Sequence, residues 1–241
     1  VPEITAIFWV AKLLTTAMGE AVSDFLVNAI SPYVAVALGF GVFVLGLVLQ
    51  FRVKRYVPGV YWFTVAMVAV FGTMAADVLH KQIGVSFELS TIFFAVCLAI
   101  IFIVWHKIER SLSIHTITTW RREVFYWLTV VTTFALGTAA GDLIADGLHL
   151  GYLVAGGVFA VLMIIPLIGY RLKFSETIVF WFAYIVTRPL GASFADWFGK
   201  SVPSGLGLGD GPVSVVLAVL IVVCVLYMTI NKVEQQRELN S

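Results

Sequence analysis

Apolar residues run along this chain in eight blocks, at roughly 5–28, 33–53, 59–80, 88–107, 124–146, 151–171, 177–199 and 212–231. Each is about the 20 residues that a helix needs to cross the hydrocarbon core of a bilayer. The blocks alternate in character. The first, third, fifth and seventh hold most of the intramembrane polar residues, whereas the others are near-continuous Val, Leu, Ile and Phe. Polar side chains inside a membrane turn toward the bundle interior. The pattern therefore predicts an all-α integral membrane protein of eight transmembrane helices. The odd blocks line its interior and the even blocks face lipid. Eight successive buried helices of a soluble protein would not carry so little charge.

The odd blocks repeat one another. A Trp is followed ten residues later by Gly and five residues after that by Asp, in the copies Trp9–Gly19–Asp24, Trp62–Gly72–Asp77, Trp127–Gly137–Asp142 and Trp181–Gly191–Asp196. Phe8, Tyr61, Tyr126 or Phe180 precedes each Trp. A fixed internal period marks a repeat architecture. The chain divides into repeats 1–58, 59–123, 124–176 and 177–241, which pair into two halves of one membrane domain. Each repeat is expected to be a helical hairpin. Two helices per repeat give every repeat the same polarity, so the four are parallel and not inverted. At 1.5 Å per residue the Gly lies about 15 Å, and the Asp about 22 Å, beyond the Trp. The Trp fits an interfacial belt or a packing site, the Gly close helix approach, and the four Asp the far side of the membrane.

Charge sets the orientation. Arg52, Lys54, Arg55, Lys107, Arg110, Arg121, Arg122, Arg171, Lys173, Lys232 and Arg237 fall on the side of the chain ends, and only Lys81 and Lys200 on the other. Positive loops stay cytoplasmic, so both termini are expected there. Only 12% of the 241 residues are charged and 61% are hydrophobic, about half the charge of a soluble domain. No basic patch or RNA-binding motif points to nucleic acid. Cys97 and Cys224 lie in apolar runs and read as packing residues. No basic n-region follows Val1, so a signal peptide is not expected. Zincin and nucleophile-elbow motifs are missing, and the reading is not an enzyme.

Candidate chemistry follows from cost. An acid at the centre of a membrane helix is unfavourable by about 2.5–3.5 kcal/mol and normally marks a site. Asp24, Asp77, Asp142 and Asp196 meet that description, although an architectural hydrogen-bonding role is open. The first copy adds a stripe at four-residue spacing, Lys12, Thr16, Glu20, Asp24 and Asn28. Thr73, Thr138 and Ala192 stand where Glu20 would recur, so the repeat does not explain Glu20. Either Glu20 is a functional carboxylate or it pairs with Lys12 or Arg188. Arg188 directly precedes Pro189, which removes a backbone hydrogen bond and is expected to kink the helix. A buried Arg needs a carboxylate partner, and Glu20 or a repeat Asp should supply it. Asp77 with His80 and Asp146 with His149 share i, i+3 faces that suit a metal ion, with surface histidines as the plain alternative. The segment 201–212, SVPSGLGLGDGP, is expected to fold over the outer mouth, and the connector 107–123 to be a charged, solvated hinge or an interfacial segment.

The strings VPEITAIFWVAKLLTTAMGEAVSDFL, ERSLSIH with TTWRREVFYW, FALGTAAGDL, and TRPLGAS with GLGLG resemble a bacterial family of uncharacterised membrane-anchored proteins built from a repeated membrane domain of unknown function. The resemblance covers nearly the whole chain. It implies a multi-pass protein of the bacterial inner membrane and brings no activity, substrate or catalytic residue.

Three functional readings remain. In the first, the chain transports a small cation, a divalent metal ion or one coupled to protons. Glu20, Asp24, Asp77, Asp142 and Asp196 form the path, Thr16, Thr73, Thr133 and Thr138 add oxygen ligands, and Arg188 and Lys12 are counter-charges. Hard cations such as magnesium or manganese prefer such oxygen sets. In the second, Arg188 anchors a small organic anion. In the third, the acids only hold a structural or sensory bundle together. The bilayer is the expected partner in all three, and each is compatible with a homo-oligomer.

Overall fold

The computed structural model describes residues 2–53 and 55–238, without the side chains of residues 81, 82 and 232–238. Val1 and Lys54 therefore lie outside the described residues, as do the side chains of Lys81, Lys232 and Arg237. The described residues are helical and contain no strand. The helices are α1 (Ala6–Ala29), α2 (Pro32–Arg52), α3 (Pro58–Asp77), α4 (Phe87–Glu109), α5 (Trp120–Asp142), α6 (Tyr152–Leu162), α7 (Ile164–Arg171), α8 (Glu176–Gly199) and α9 (Asp210–Glu238).

Local chemistry sets the helix ends. Thr5, Ser86 and Thr119 accept backbone N–H bonds at the starts of α1, α4 and α5, each supplying a partner that a first turn lacks. Pro32 and Pro58 open α2 and α3, where a missing N–H costs nothing. Arg110 ends α4 in the left-handed region at φ 57°. α3 and α5 continue past Asp77 and Asp142 into single π turns, Val78–Gln82 and Leu143–Gly147. Among the described residues seven segments are long and apolar enough to cross a membrane, with α6 and α7 counted as one. α1 has the same length but carries Lys12, Glu20 and Asp24, all turned inward.

The inner layer is a closed ring. α1 packs on α3 and α8, and α5 closes the circuit against the same two helices. The repeated glycines make the contacts. A Cβ at Gly72 would stand 2.8 Å from Phe134 Cβ, and one at Gly191 would stand 3.1 Å from Ala17 N and overlap Thr16. Gly19 meets Ala69, and Gly137 meets Arg188 and Pro189, in the same way. In every case the Gly of one repeat abuts the position seven residues past the Trp of the next: Ala69, Phe134, Arg188 and Thr16. Helix association in lipid has no hydrophobic driving force and depends on such close approach.

The outer layer departs from the hairpin expectation. α2 packs chiefly on α3, α4 on α5, α6 on α8, and α9 on α1. Each outer helix thus packs chiefly on the inner helix of the following repeat and less on the inner helix of its own. The outer faces are apolar and exposed, as the pattern predicts: α2 buries only Ala35, Phe43 and Gly46, and α4 only Ser90, Leu98 and Trp105. The third outer helix is broken at Met163, where sequence periodicity gives one continuous segment. Pro166 lacks the N–H that would bond to Leu162 and so weakens that turn. α8, by contrast, runs through Pro189 as one helix.

One end of the ring is closed by aromatic rings. Tyr61, Trp62, Tyr126, Trp127, Trp181 and Tyr184 belong to one buried cluster, which makes the repeated Trp a packing residue in three copies. Beneath it the connector keeps many exposed residues but is pinned at several points. Trp181 Nε1 donates to Leu112 O at 2.9 Å, Arg122 joins Glu109 at 2.9 Å and Thr116 O at 2.7 Å, and Ile114 is buried. At the other end the glycine-rich loop doubles back along α8. The N–H groups of Leu206, Leu208 and Gly209 donate to the carbonyls of Trp197, Phe198 and Gly199 at 2.7, 3.1 and 3.1 Å. These are terminal helix carbonyls that otherwise need water.

Gly72→Ala is expected to lower stability by about 1–3 kcal/mol through overpacking. Gly157→Ala, where an added Cβ meets nothing within 4 Å, is expected to change it little. Unfolding midpoints in detergent compare the two, and equal midpoints would remove the ring contact from the account.

Candidate functional site

Arg188 lies at the centre of the ring with no exposed surface. Its Nη2 donates to Glu20 Oε2 at 2.7 Å, to Thr138 Oγ1 at 2.6 Å and to Thr73 Oγ1. Nη1 donates to Thr16 O at 3.4 Å. Thr73 Oγ1 lies 3.3 Å from the same Glu20 oxygen. One guanidinium therefore ties its own helix to α1, α3 and α5. The three side chains it meets occupy one repeat position, eleven residues past the Trp. The fourth copy has Ala192 there, and Arg188 enters from one turn earlier on the same helix. Of the two pairings open for Glu20, the structure makes the one with Arg188.

Lys12 is placed differently. Its side chain is buried, and its Nζ has no hydrogen-bond partner among the described residues. The ammonium stands 3.9 Å from the ring centroids of both Phe134 and Tyr184. A cation so placed is held by the electron-rich faces of the rings. Phe134 serves twice, because the Arg188 guanidinium carbon is 5.4 Å from the same centroid.

Beyond Arg188, away from the aromatic end, lie the acids. Ligand oxygens of Glu20, Asp24 and Asp196 all fall within 4.8 Å of one another, and all three residues are buried. α1 and α8 position them, since they pack directly against each other and each carries its repeat Asp on the inward face. Lys200, the first residue after α8, reaches back to this group. Its Nζ pairs with Asp24 and lies 3.7 Å from Asp196 Oδ1. Burial opposes the Lys200 charge. Asp24, Asp196 and Asp210 outweigh that penalty and hold its proton more firmly than an ordinary lysine does. The only signal for this in the sequence is i, i+4 spacing from Asp196 to Lys200, which is too common to single out.

The other candidates lie outside this three-carboxylate group, with Asp142 near enough to act electrostatically on Asp196. Asp77 is buried and Asp142 half-buried, each directly before a π turn, and neither belongs to the three-carboxylate group. Such turns recur at functional sites. Thr133 Oγ1 returns to Val130 O of its own helix at 2.7 Å, and Thr16 Oγ1 to Leu13 O at 2.6 Å. His80 engages both ring nitrogens, with Val85 O at 3.2 Å and Ser90 Oγ at 3.1 Å, and so clamps the turn into α4. Asp146 and His149 are exposed, and Tyr152 donates to Asp146 at 3.3 Å. Among the described residues only Glu20, Asp24 and Asp196 form a group with metal-ligand geometry. Three acidic oxygens suit a hard cation such as magnesium or manganese, which prefers carboxylate and hydroxyl donors.

Two variants test the central pair. Glu20→Gln leaves a buried guanidinium without its carboxylate and is expected to cost about 3–5 kcal/mol. Replacing both, Glu20→Gln with Arg188→Met, is expected to recover much of that loss. Additive losses in a double-mutant cycle would contradict the pairing. For Lys200, the folded protein binds the proton more tightly than the unfolded chain does. The stabilising contribution is therefore complete below the ordinary lysine pKa of about 10.4 and is lost as pH rises beyond it. The gap in unfolding midpoint between wild type and Lys200→Met is expected to stay constant from about pH 7 to 9 and to shrink above about pH 10.5. A gap that closes near neutrality would contradict this.

The profile of the family described as Repeat of Unknown Function (DUF347) matches residues 7–56, 60–111, 125–173 and 179–233. These four stretches cover most of the chain, each taking in one inner helix and the outer helix that follows it. Comparison with curated proteins and with solved structures found no match. The chain belongs to the DUF347 repeat family.

Proposed function

We propose that this member of the repeat family is a membrane transporter of a small cation, a divalent metal ion or one coupled to protons. The observation that carries the proposal is the convergence of Glu20, Asp24 and Asp196 inside a ring of apolar-faced helices. Ionised acids are retained in such a place at high cost, and intramembrane acids mark ion pathways by default. In this reading all eight helical segments span the membrane, with α1 the eighth and α6 with α7 acting as one. The repeats are parallel, and both termini are cytoplasmic in a bacterial inner membrane. The excess of loop cations beside the chain ends supports that orientation.

Lys200 and Arg188 then act as resident counter-charges. The Lys200 ammonium occupies the place a cation would take between Asp24 and Asp196. An arriving divalent ion displaces it electrostatically, and its return expels the ion on the other side of the cycle. Arg188 keeps one Glu20 oxygen directed into the ring and, with Lys12 behind it, sets a positive barrier that an ion passes only by pairing with the acids. Asp77 and Asp142 continue the acidic lining from α3 and α5. The alternative of an organic anion held by Arg188 is less favoured, because Nη2 already faces Glu20, Thr73 and Thr138 in a fully buried place, where of the guanidinium nitrogens Nε alone has no partner among the described residues.

Manganese uptake into proteoliposomes tests the proposal. Wild-type protein is expected to transport, and Asp196→Asn to reduce the initial rate at least about ten-fold, as for loss of a charged contact of roughly 1.4 kcal/mol or more. Lys200→Met removes the resident ammonium and is expected to strengthen ion binding while slowing turnover. Equal rates with and without protein, for manganese, magnesium and monovalent ions alike, would overturn the transporter reading.

A further inference from the structure

Lys200 needs somewhere to go when a cation arrives. Asp24 and Asp196 are buried, and two buried carboxylates balance one divalent ion only if the ammonium between them leaves. A lysine that leaves needs another acid within reach of its stem. That reach is fixed by the backbone. Lys200 N–H donates to Asp196 O, and Lys200 O accepts from Gly207 N–H, both at 2.8 Å. One bond ties the residue to α8 and the other to the glycine-rich loop. Only the four-carbon side chain remains to turn, and the residue is half-buried.

The loop brings an acid to this point. Gly209 N–H donates to Gly199 O at 3.1 Å and returns the chain to the end of α8. Asp210 follows as the first residue of α9. A Cβ at Gly199 would overlap Asp210 Oδ1 and stand 3.3 Å from Asp210 Cγ. The Asp210 carboxylate therefore lies against the backbone of the residue directly before Lys200, in space that a side chain at 199 would fill. Neighbouring Cα atoms are about 3.8 Å apart, so a lysine stem that pivots at residue 200 spans the distance without backbone movement. Asp210 already helps to hold the Lys200 proton from where it stands. It is half-buried, whereas Asp24 and Asp196 are buried. A turn from those two to Asp210 takes the ammonium to an acid closer to water. An acid in a first turn also stabilises its own helix, but that role does not depend on Lys200.

We propose that Asp210 is the second partner of Lys200. Positive charge entering between Asp24 and Asp196 sends the ammonium to Asp210, and departure of that charge brings it back. Asp210 is thereby a positioning residue, which sets how readily the buried carboxylates are vacated. The proposal rests on the cation reading for its trigger and on the loop for its geometry.

The test uses the full chain in detergent. Asp24→Asn with Asp196→Asn neutralises the buried pair without any ion. A double-mutant cycle of Lys200→Met and Asp210→Asn, read from the unfolding equilibrium, is run in that background and in the wild type. The coupling is expected to stay below about two-fold in the wild type and to rise to about five-fold in the neutralised background, the upper range for a partly exposed ion pair. The same coupling in both would overturn the proposal. Manganese titration by calorimetry is the second measurement. Asp210→Asn is expected to weaken binding by about the same five-fold, since coupling between sites is reciprocal. In the Lys200→Met background it is expected to change nothing, because no ammonium is left to receive. An equal loss in both backgrounds would overturn the exchange. A wild type that binds no manganese while the coupling rises as stated would overturn the cation reading and leave the exchange standing.

Discussion

A guanidinium with no access to water constrains everything around it. Removing an ion from water into a low-dielectric interior costs several kcal/mol even after relaxation, so Arg188 is stable only where partners converge on it. Three do, one from each of the other inner helices, because Glu20, Thr73 and Thr138 hold one repeat position in a closed ring. The ring in turn exists because four glycines let four helices approach within side-chain-free distance. The symmetric skeleton and the asymmetric charge thus depend on one another. The repeat supplies four equivalent inward positions, and the fourth copy replaces its own contribution with Ala192 and sends Arg188 into the middle.

Much of this is legible in the sequence, for identifiable reasons. The apolar blocks fall on the helices, the sixth on α6 and α7 together, because a run of about 20 apolar residues suits a helix of membrane-spanning length. The repeated Gly reads correctly as close packing, since membrane helices have few other means of association. Arg188 requires an acid, and the sequence narrows its partner to Glu20 or a repeat Asp; the structure selects Glu20. What escapes the sequence is the handing-on of each outer helix to the next repeat, because periodicity reports which face is apolar and not which neighbour covers it. The break at Met163 escapes as well, because Pro166 alone does not foretell it: α8 runs through Pro189 as one helix. Nothing in the stripe of Lys12 foretells two aromatic rings contributed by α5 and α8.

The acids divide in a way that bears on function. Asp24 and Asp196 come together with Glu20 because α1 and α8 are direct neighbours in the ring, and Lys200 lies within reach only because the glycine-rich loop holds the end of α8 in place. Asp77 and Asp142 stand instead at the entrances to two π turns. The four copies of one motif therefore do two jobs, paired by position around the ring and not by order in the chain.

The most direct measurement of the central claim is a cryo-electron microscopy map of the protein prepared in manganese beside one prepared in chelator. The account predicts added density among the Glu20, Asp24 and Asp196 carboxylates, with the Lys200 side chain withdrawn from Asp24. Identical maps, with Lys200 paired to Asp24 in both, would contradict it and leave the acids as the internal fastening of a bundle.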